Sequence, residues 1–301
     1  MKLWLTFLAG LTLVGCGSRD SSAPVRVSVI GGAPTLVDPN RKPPDASQRV
    51  LLGAVGESLI TYDEAGQIAP GLAQRWIVTS DGLSAIFRFR RAEWPGGGAI
   101  TSQDFVRRVR AMLAPASRNP LRPAFDSIEE INATTPEVIE FRLATPRPPL
   151  LELLAQPEAV MLSRKLESTG PFKITGRMGE TVSLAPRAAQ AEGEAPDYPP
   201  VALTGERAAR AVTRFQQGEA DLVLGGTYLD WPLIGIANPP ARAIRFDPAD
   251  GLFGLVVQRA EGFLASPANR QVLGMVIDRD ALLQTFGAAG WLGVLRVLPQ
   301  R

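Results

Sequence analysis

Strand-like and helix-like segments follow one another in this chain without strict alternation, and this order constrains the fold more than any other feature. Alternating apolar residues predict a first strand over Val25–Ile30. Residues 76–79 and 85–90 flank an Asp-Gly turn and predict a β-hairpin with no helix between its strands. A second strand pair is predicted over 127–133 and Val138–Leu143. Consecutive strands of this kind indicate an α/β chain of several lobes rather than one doubly wound sheet.

The second half of the chain continues this mixture. Short strands are predicted at 172–174, 181–184, 201–203 and 252–257, with a strand of the buried type at 221–224. Helices are predicted over 206–217, Pro267–Val276 and Arg279–Phe286. Gly218 is positioned to end the first of these helices. The segment 188–200, rich in Ala, Glu and Pro, is interpreted as a linker or surface excursion.

The predicted hairpin carries the clearest facial pattern of any strand. Phe87 and Phe89 alternate with Arg88 and Arg90. Because successive side chains of a strand point to opposite faces of the sheet, this pattern predicts one buried face and one solvated face, with both arginines in solvent.

A helix is predicted to begin after the hairpin. Thr101 is the expected N-cap, and Asp104 follows three residues later as the reach-back residue of a capping box. The apolar residues of this segment form one stripe, so Arg107, Arg108 and Arg110 are predicted to lie on the solvated face.

The N-terminus has the features of a bacterial lipoprotein signal. An apolar run follows Lys2 and closes with residues 13–16, Leu-Val-Gly-Cys, which form a lipobox. The run is far too short to span a bilayer core of roughly 30 Å as a helix. Residues 1–15 are therefore predicted to be a signal peptide, Cys16 to be lipidated, and residues 16–24 to be a lipid-anchored tether. Because Cys16 is the only cysteine, no intrachain disulfide is available and packing must stabilise the fold.

Composition excludes several function classes. The net charge of +2, from 32 basic and 30 acidic residues, gives no basis for nucleic-acid binding. Histidine is absent, which removes Ser-His-Asp and Cys-His hydrolases and the common zinc sites. No nucleophile elbow, P-loop, dinucleotide fingerprint or calcium loop is present. We therefore expect no enzymatic activity, no cofactor and no metal site.

Several segments resemble a known family in the same order. The most specific is 57–76, which includes Pro-Gly-Leu-Ala-Gln-Arg-Trp at 70–76. Further matches occur at 81–90, 100–105, 169–174 (Thr-Gly-Pro-Phe-Lys-Ile), 218–221 (Gly-Glu-Ala-Asp) and 270–282. Together they resemble the extracytoplasmic solute-binding proteins of the oligopeptide, dipeptide and nickel class, solute-binding protein family 5, which serve ABC importers.

The resemblance implies a multi-lobe α/β fold like that of type II periplasmic binding proteins, in the family 5 arrangement. Lobe I would be discontinuous, comprising 25–45 and 162–250, and lobe II would comprise 46–161. Residues 251–301 would form the start of a third lobe, which is expected to be incomplete here. Solute would bind in the cleft between lobes as they close.

The implied function is capture of peptides or similar small solutes for transmembrane transport. The implied partners are the solute, ABC permease subunits and, through Cys16, a membrane. The expected location is the periplasmic or extracytoplasmic face of a bacterial membrane, and the protein is expected to be a monomer.

Five residues are predicted to contact ligand. The resemblance aligns the loop Pro43, Pro44 and Asp45, together with Leu121, with ligand-facing positions. Trp94 is a further candidate as an aromatic wall of the cleft, although a tryptophan near a hairpin end is more often part of a core.

Two alternatives stay open at this point. One is a reduced two-lobe lipoprotein that acts as a scaffold or sensor partner without ligand capture. The other is an enzyme with a Ser-Lys pair, for which Ser163 and Lys165 are the candidates, although their spacing differs from the Ser-x-x-Lys motif.

Overall fold

Two separate β-sheets organise the chain. The computed structural model describes residues 23–187, 198–245, 254–286 and Gly293. The predicted signal peptide, Cys16 and most of the tether lie outside the described residues, as does most of the segment interpreted as a linker.

The helices and strands are as follows. The strands, in chain order, are β1 (Val25–Ile30), β2 (Ile60–Tyr62), β3 (Ile68–Pro70), β4 (Ala73–Val78), β5 (Ser84–Phe89), β6 (Ile128–Thr135), β7 (Val138–Leu143), β8 (Phe172–Met178), β9 (Thr181–Pro186), β10 (Val201–Glu206) and β11 (Leu222–Gly225). The α-helices are α1 (Ala46–Val55), α2 (Ser102–Leu113), α3 (Leu150–Leu154), α4 (Ala208–Gln216), α5 (Trp231–Ala237), α6 (Pro267–Val276) and α7 (Arg279–Phe286).

The first sheet has five strands in the order β11-β1-β10-β9-β8. Strand β1 is parallel to both of its neighbours, whereas β10, β9 and β8 are antiparallel in succession. Arg26 of β1 holds the start of β11, because its guanidinium donates to both carboxylate oxygens of Asp221 at 2.7 and 3.1 Å. This hydrogen bonding raises the pKa of Arg26 above its usual value.

Helices cover the two faces of β1 from opposite sides. Val27 and Val29 lie in one core cluster with Leu51 and Val55 of α1. Ser28 points to the other face, where its hydroxyl contacts the carboxylate of Glu206, which also pairs with α4. Strand β1 is therefore the point at which the covering helix changes sides.

The second sheet has four antiparallel strands in the order β4-β5-β7-β6. Both predicted hairpins are confirmed. Phe87, Phe105 and Phe141 form the centre of its core, where the ring of Phe141 meets the other two edge-on at centroid distances of 5.6 and 5.9 Å. Helix α2 begins as predicted, with Thr101 and Asp104 forming a complete capping box.

Two arginines predicted to lie in solvent are largely buried, and the prediction was wrong for both. Arg90 pairs with Glu57 at 2.7 Å, and Arg108 pairs with Asp38 at 2.6 Å. The residue periodicity correctly placed Arg90 opposite the buried face of β5 and Arg108 outside the apolar stripe of α2. Their partners lie in the connections on either side of α1, and no local pattern encodes those contacts.

Helix α1 ends at Val55 and packs on the first sheet, although the lobe division placed everything from residue 46 in lobe II. Arg49 of this helix pairs with the buried Glu158 at 2.8 Å and so ties it to the chain that follows the second sheet. The lobe boundaries themselves stay a prediction.

Two segments predicted as strands in the second half of the chain, 221–224 and 252–257, differ from the prediction. Leu222 of β11 is exposed, so β11 is not a buried strand, and residues 254–257 form no strand. Helices α6 and α7 are confirmed, and α6 exposes large apolar side chains. Within the described ranges, no helix combines the length and apolar character needed to cross a membrane.

Candidate functional site

The carboxyl ends of three parallel strands meet at one edge of the first sheet. Strand β1 ends before Gly31 and Gly32, β10 ends at Glu206, and β11 ends at Gly225. In open α/β sheets, ligands bind in the crevice outside the carboxyl ends of the strands, where the connections change sides. Because α1 and α4 cover opposite faces of β1, the rule predicts a crevice at this edge, which we call the carboxyl-edge crevice.

Exposed glycines lie at the ends of β1 and β11 along this crevice. A Cβ at Gly32 would lie 3.0 Å from Oδ2 of Asp45, and one at Gly225 would lie 3.7 Å from Cβ of Ala46. Gly225 and Gly226 both have left-handed φ values, of +78° and +93°, that favour glycine. The ends of β1 and β11 therefore approach the start of α1 closely.

The predicted loop Pro43, Pro44 and Asp45 forms the rim of this crevice at the start of α1. The N–H of Gln48 donates to Oδ1 of Asp45 at 2.9 Å, and the N–H of Asp45 donates to Oε1 of Gln48 at 3.1 Å, which makes a capping box. The hydroxyl of Ser47 lies 2.6 Å from the carbonyl oxygen of Gly32. The loop is thus fixed in place while the Asp45 side chain stays exposed.

Leu121 lies in a segment that is attached to the same loop. The side-chain amide of Asn119 donates to Oδ1 of Asn40 at 2.9 Å, and the N–H of Arg118 donates to the Asn40 carbonyl at 2.9 Å. The structure therefore joins the segment of Leu121 to the connection between β1 and α1, which also contains Pro43, Pro44 and Asp45. Leu121 itself is half-buried against the core of the second sheet.

Trp94 lies elsewhere. Its side chain is half-buried and packs against the core of the second sheet, in a short turn closed by the hydrogen bond from its N–H to the Gly98 carbonyl at 2.9 Å. Its position matches the core interpretation of a tryptophan near a hairpin end. A ligand-binding role for Trp94, as for the other four residues, stays a prediction.

Glu206 at the end of β10 does not face the crevice as a free carboxylate. It is almost fully buried and interacts with the Ser28 hydroxyl, with Arg214 at 3.0 Å and with Arg210 at 3.2 Å. Across the described parts of the chain, no group of three or more His, Cys, Asp and Glu side chains is arranged to hold a metal ion.

The sequence profile of the bacterial extracellular solute-binding proteins, family 5 (middle region), matches residues 67–291. The chain belongs to this family. The matched range contains all four strands of the second sheet, together with β8 to β11 and α4 to α7. The resemblance inferred from the sequence is therefore confirmed, and so is the mixed α/β fold of periplasmic binding proteins.

Individual relatives agree with this assignment. The periplasmic oligopeptide-binding protein OppA of Haemophilus influenzae is 30% identical over 134 residues, which is 44% of this chain and 25% of that protein. DppA of Helicobacter pylori, solved with the peptide STSA, superimposes with a TM-score of 0.65 at 17% identity, covering 88% of this chain and 58% of that one. NikZ of Campylobacter jejuni, solved with Ni(L-His), gives a TM-score of 0.64 at 19% identity, covering 87% and 54%. The chain thus spans little more than half the length of these structures.

A cavity of about 500 Å³ lies at the opposite end of α1 from the crevice. None of the five residues predicted to contact ligand lines it. Its charged and aromatic lining residues are Glu57, Arg90, Arg187, Tyr62 and Tyr198, and the hydroxyl residue Thr169 also lines it. The segments 57–76, 81–90 and 169–174 of the family resemblance include several of its lining residues, but their local patterns do not predict a cavity.

Proposed function

We propose that this protein is the solute-capturing component of an ABC importer and that it binds a peptide or similar small solute in the carboxyl-edge crevice. The observation that carries the proposal is the position of β1 between two parallel strands, with α1 and α4 on opposite faces. Membership of the solute-binding family supports it independently. Two relatives whose structures contain a peptide and a metal complex with an amino acid agree with a small solute.

The crevice offers two kinds of contact to such a solute. The exposed glycines at the ends of β1 and β11 would offer main-chain groups for hydrogen bonds with an extended peptide, a type of contact that tolerates varied side chains. Oδ1 of Asp45 is used by the helix cap, whereas Oδ2 has no hydrogen-bond donor among the described residues. Oδ2 is thus the atom proposed to receive a positively charged group of the solute.

The lobe division is part of this proposal. Lobe I (25–45 and 162–250), lobe II (46–161) and the third lobe that begins at 251 would close around the solute and remove it from water. The salt bridge from Arg108 of lobe II to Asp38 of lobe I supports a first and second lobe that move as one body.

Attachment to a membrane through a lipid on Cys16 is proposed from the lipobox alone, and an extracytoplasmic location agrees with the family. Replacing Cys16 by Ser should release the protein from the membrane fraction. Intact mass of the membrane-extracted protein should show a lipidated chain that begins at Cys16, and an unprocessed or unlipidated chain would refute the anchor.

Thermal unfolding with pooled ligands tests solute capture. A solute at a hundred times its Kd stabilises the folded state by about 2.7 kcal/mol if it binds only that state. We expect pools of di- and tripeptides to raise the Tm, with calorimetry of the active peptides to follow. Asp45→Asn keeps a good N-cap residue but removes the charge, so it should weaken binding at least about tenfold. Glu130→Gln, at an exposed site on the second sheet, is the matched control.

The outcomes separate the remaining functions. Stabilisation that is lost in Asp45→Asn and kept in Glu130→Gln supports capture at the crevice. Stabilisation that both variants keep would move the solute to another site. No stabilisation with peptide, amino-acid or sugar pools would refute capture by this chain and favour the scaffold or sensor alternative.

A further inference from the structure

The cavity at the end of α1 contains more positive than negative charge. Glu57, Arg90 and Arg187 are its charged lining residues. Glu57 is neutralised, because both of its oxygens lie 2.7 Å from Nη2 of Arg90, and the Thr169 hydroxyl donates to Oε2 at 2.6 Å. One cation, Arg187, therefore remains without a carboxylate partner among the described residues.

Arg187 is held in position by carbonyl groups. Its Nε donates to the Gly170 carbonyl at 3.2 Å, and Nη2 donates to the Ser168 carbonyl at 3.3 Å. The side chain is half-buried, which strengthens the electrostatic attraction of an anion compared with a fully solvated arginine. A guanidinium has five donors, so several remain available in fixed directions for a carboxylate.

Two tyrosines give the same cavity an apolar, aromatic mouth. Tyr62 and Tyr198 are 39% and 42% exposed, and both line the cavity. The ring of Tyr198 stacks on Phe172 at a centroid distance of 5.7 Å, and the Tyr62 hydroxyl donates to the Glu152 carbonyl at 3.3 Å. Both rings are thus restrained before any ligand arrives, which lowers the entropic cost of contact with a flat apolar group.

We propose that this cavity is a second binding site, which takes a small carboxylate with an aromatic or apolar body. Its volume of about 500 Å³ lies within the usual range for small-molecule sites. Helix α1, ten residues or about 15 Å long, separates it from the carboxyl-edge crevice. The two sites are therefore spatially distinct, and this site does not depend on the proposed transport function.

Hippurate and hippuramide are matched probes, because they differ only in the charge of the group offered to Arg187. Calorimetry on the folded protein should show hippurate binding at least about tenfold more tightly than the amide. Arg187→Met should reduce hippurate affinity to that of the amide. Arg177→Met is the matched control, since Arg177 also donates to a backbone carbonyl, that of Pro34, but does not line the cavity. It should change the affinity by less than about twofold.

Each result decides the proposal. Equal affinity for the two probes, or no binding of hippurate at millimolar concentration, would overturn it. Hippurate binding that survives in Arg187→Met would also overturn it, and loss of that binding in Asp45→Asn would assign the probe to the crevice. If Arg187→Met does not fold, Tyr198→Ala replaces it, because that ring is exposed: a loss of about fivefold supports the site, and an unchanged affinity refutes it.

Discussion

The ion pair between Glu57 and Arg90 should be among the strongest single polar interactions in the fold. The pair joins the chain after α1 to the end of β5, and the side chains are only 15% and 14% exposed. Removing one partner leaves a charge in a poorly solvated place, which costs more than the pair itself contributes. We expect this asymmetry to be measurable as a coupling energy between the two residues.

The structure sets the expected magnitudes. Arg90→Met should cost about 3 kcal/mol, at the low end of the range for buried pairs, because Nη1 of Arg90 already has no hydrogen-bond partner among the described residues. Glu57→Gln should cost about 2 kcal/mol, since the amide keeps a hydrogen-bond acceptor. The double variant contains neither charge, so it should cost about 3 kcal/mol rather than the sum of about 5, a coupling of about 2 kcal/mol.

Urea unfolding of the four proteins at 25 °C measures this cycle, with a common m-value as the condition for comparing midpoints. The exposed pair of Arg142 and Glu130 is the control. Its atoms lie 3.6 Å apart and its side chains are 59% and 52% exposed, so its coupling should be below about 0.5 kcal/mol. Additive effects of Glu57→Gln and Arg90→Met, or equal coupling in the two pairs, would refute the argument from burial.

Three further predictions concern the core, a close backbone contact and acid stability. Phe141→Ala should lower the free energy of unfolding by about 3–5 kcal/mol, because the ring is fully buried against two others, and a loss below about 1 kcal/mol in urea would contradict this. Gly170→Ala should lower the free energy of unfolding by about 1–3 kcal/mol, because a Cβ there would lie 2.5 Å from backbone atoms. Gly176→Ala, which has open space around it, should be nearly neutral, so equal urea midpoints for the two variants would refute the steric explanation. Hydrogen bonds from the Thr79 hydroxyl and from the Leu83 backbone N–H lower the pKa of Asp81. The contribution of Asp81 to stability is therefore present above the ordinary aspartate pKa of about 3.9, and it is lost as the pH falls through the lower pKa of the folded state. Asp81→Asn should therefore lose less stability than the parent between about pH 5 and about pH 2, and parallel pH profiles would show that Asp81 contributes nothing.

Local patterns in the sequence were sufficient for most individual elements. The capping box of Thr101 and Asp104 involves residues three apart, and the left-handed φ of Gly218, +72°, ends α4 as predicted. The alternation of Phe87 and Phe89 with arginines correctly assigned the buried face of β5. For the capping box and the helix end the interacting groups lie within a few residues, and for β5 the alternation marks the buried face without specifying its partners.

The sequence by itself determined the mixed strand and helix order, the caps and turns, the family resemblance and the loop at Pro43 to Asp45 as a candidate for ligand contact. Only the tertiary structure decided which strands flank β1, because Arg26 and Asp221 are 195 residues apart. It likewise decided the burial of Arg90 and Arg108 and the formation of the cavity beside Arg187. Those features depend on side chains from distant segments, which meet only when the chain folds. The periodicity of a helix or strand predicts which face is apolar, but it does not specify which segment will cover that face.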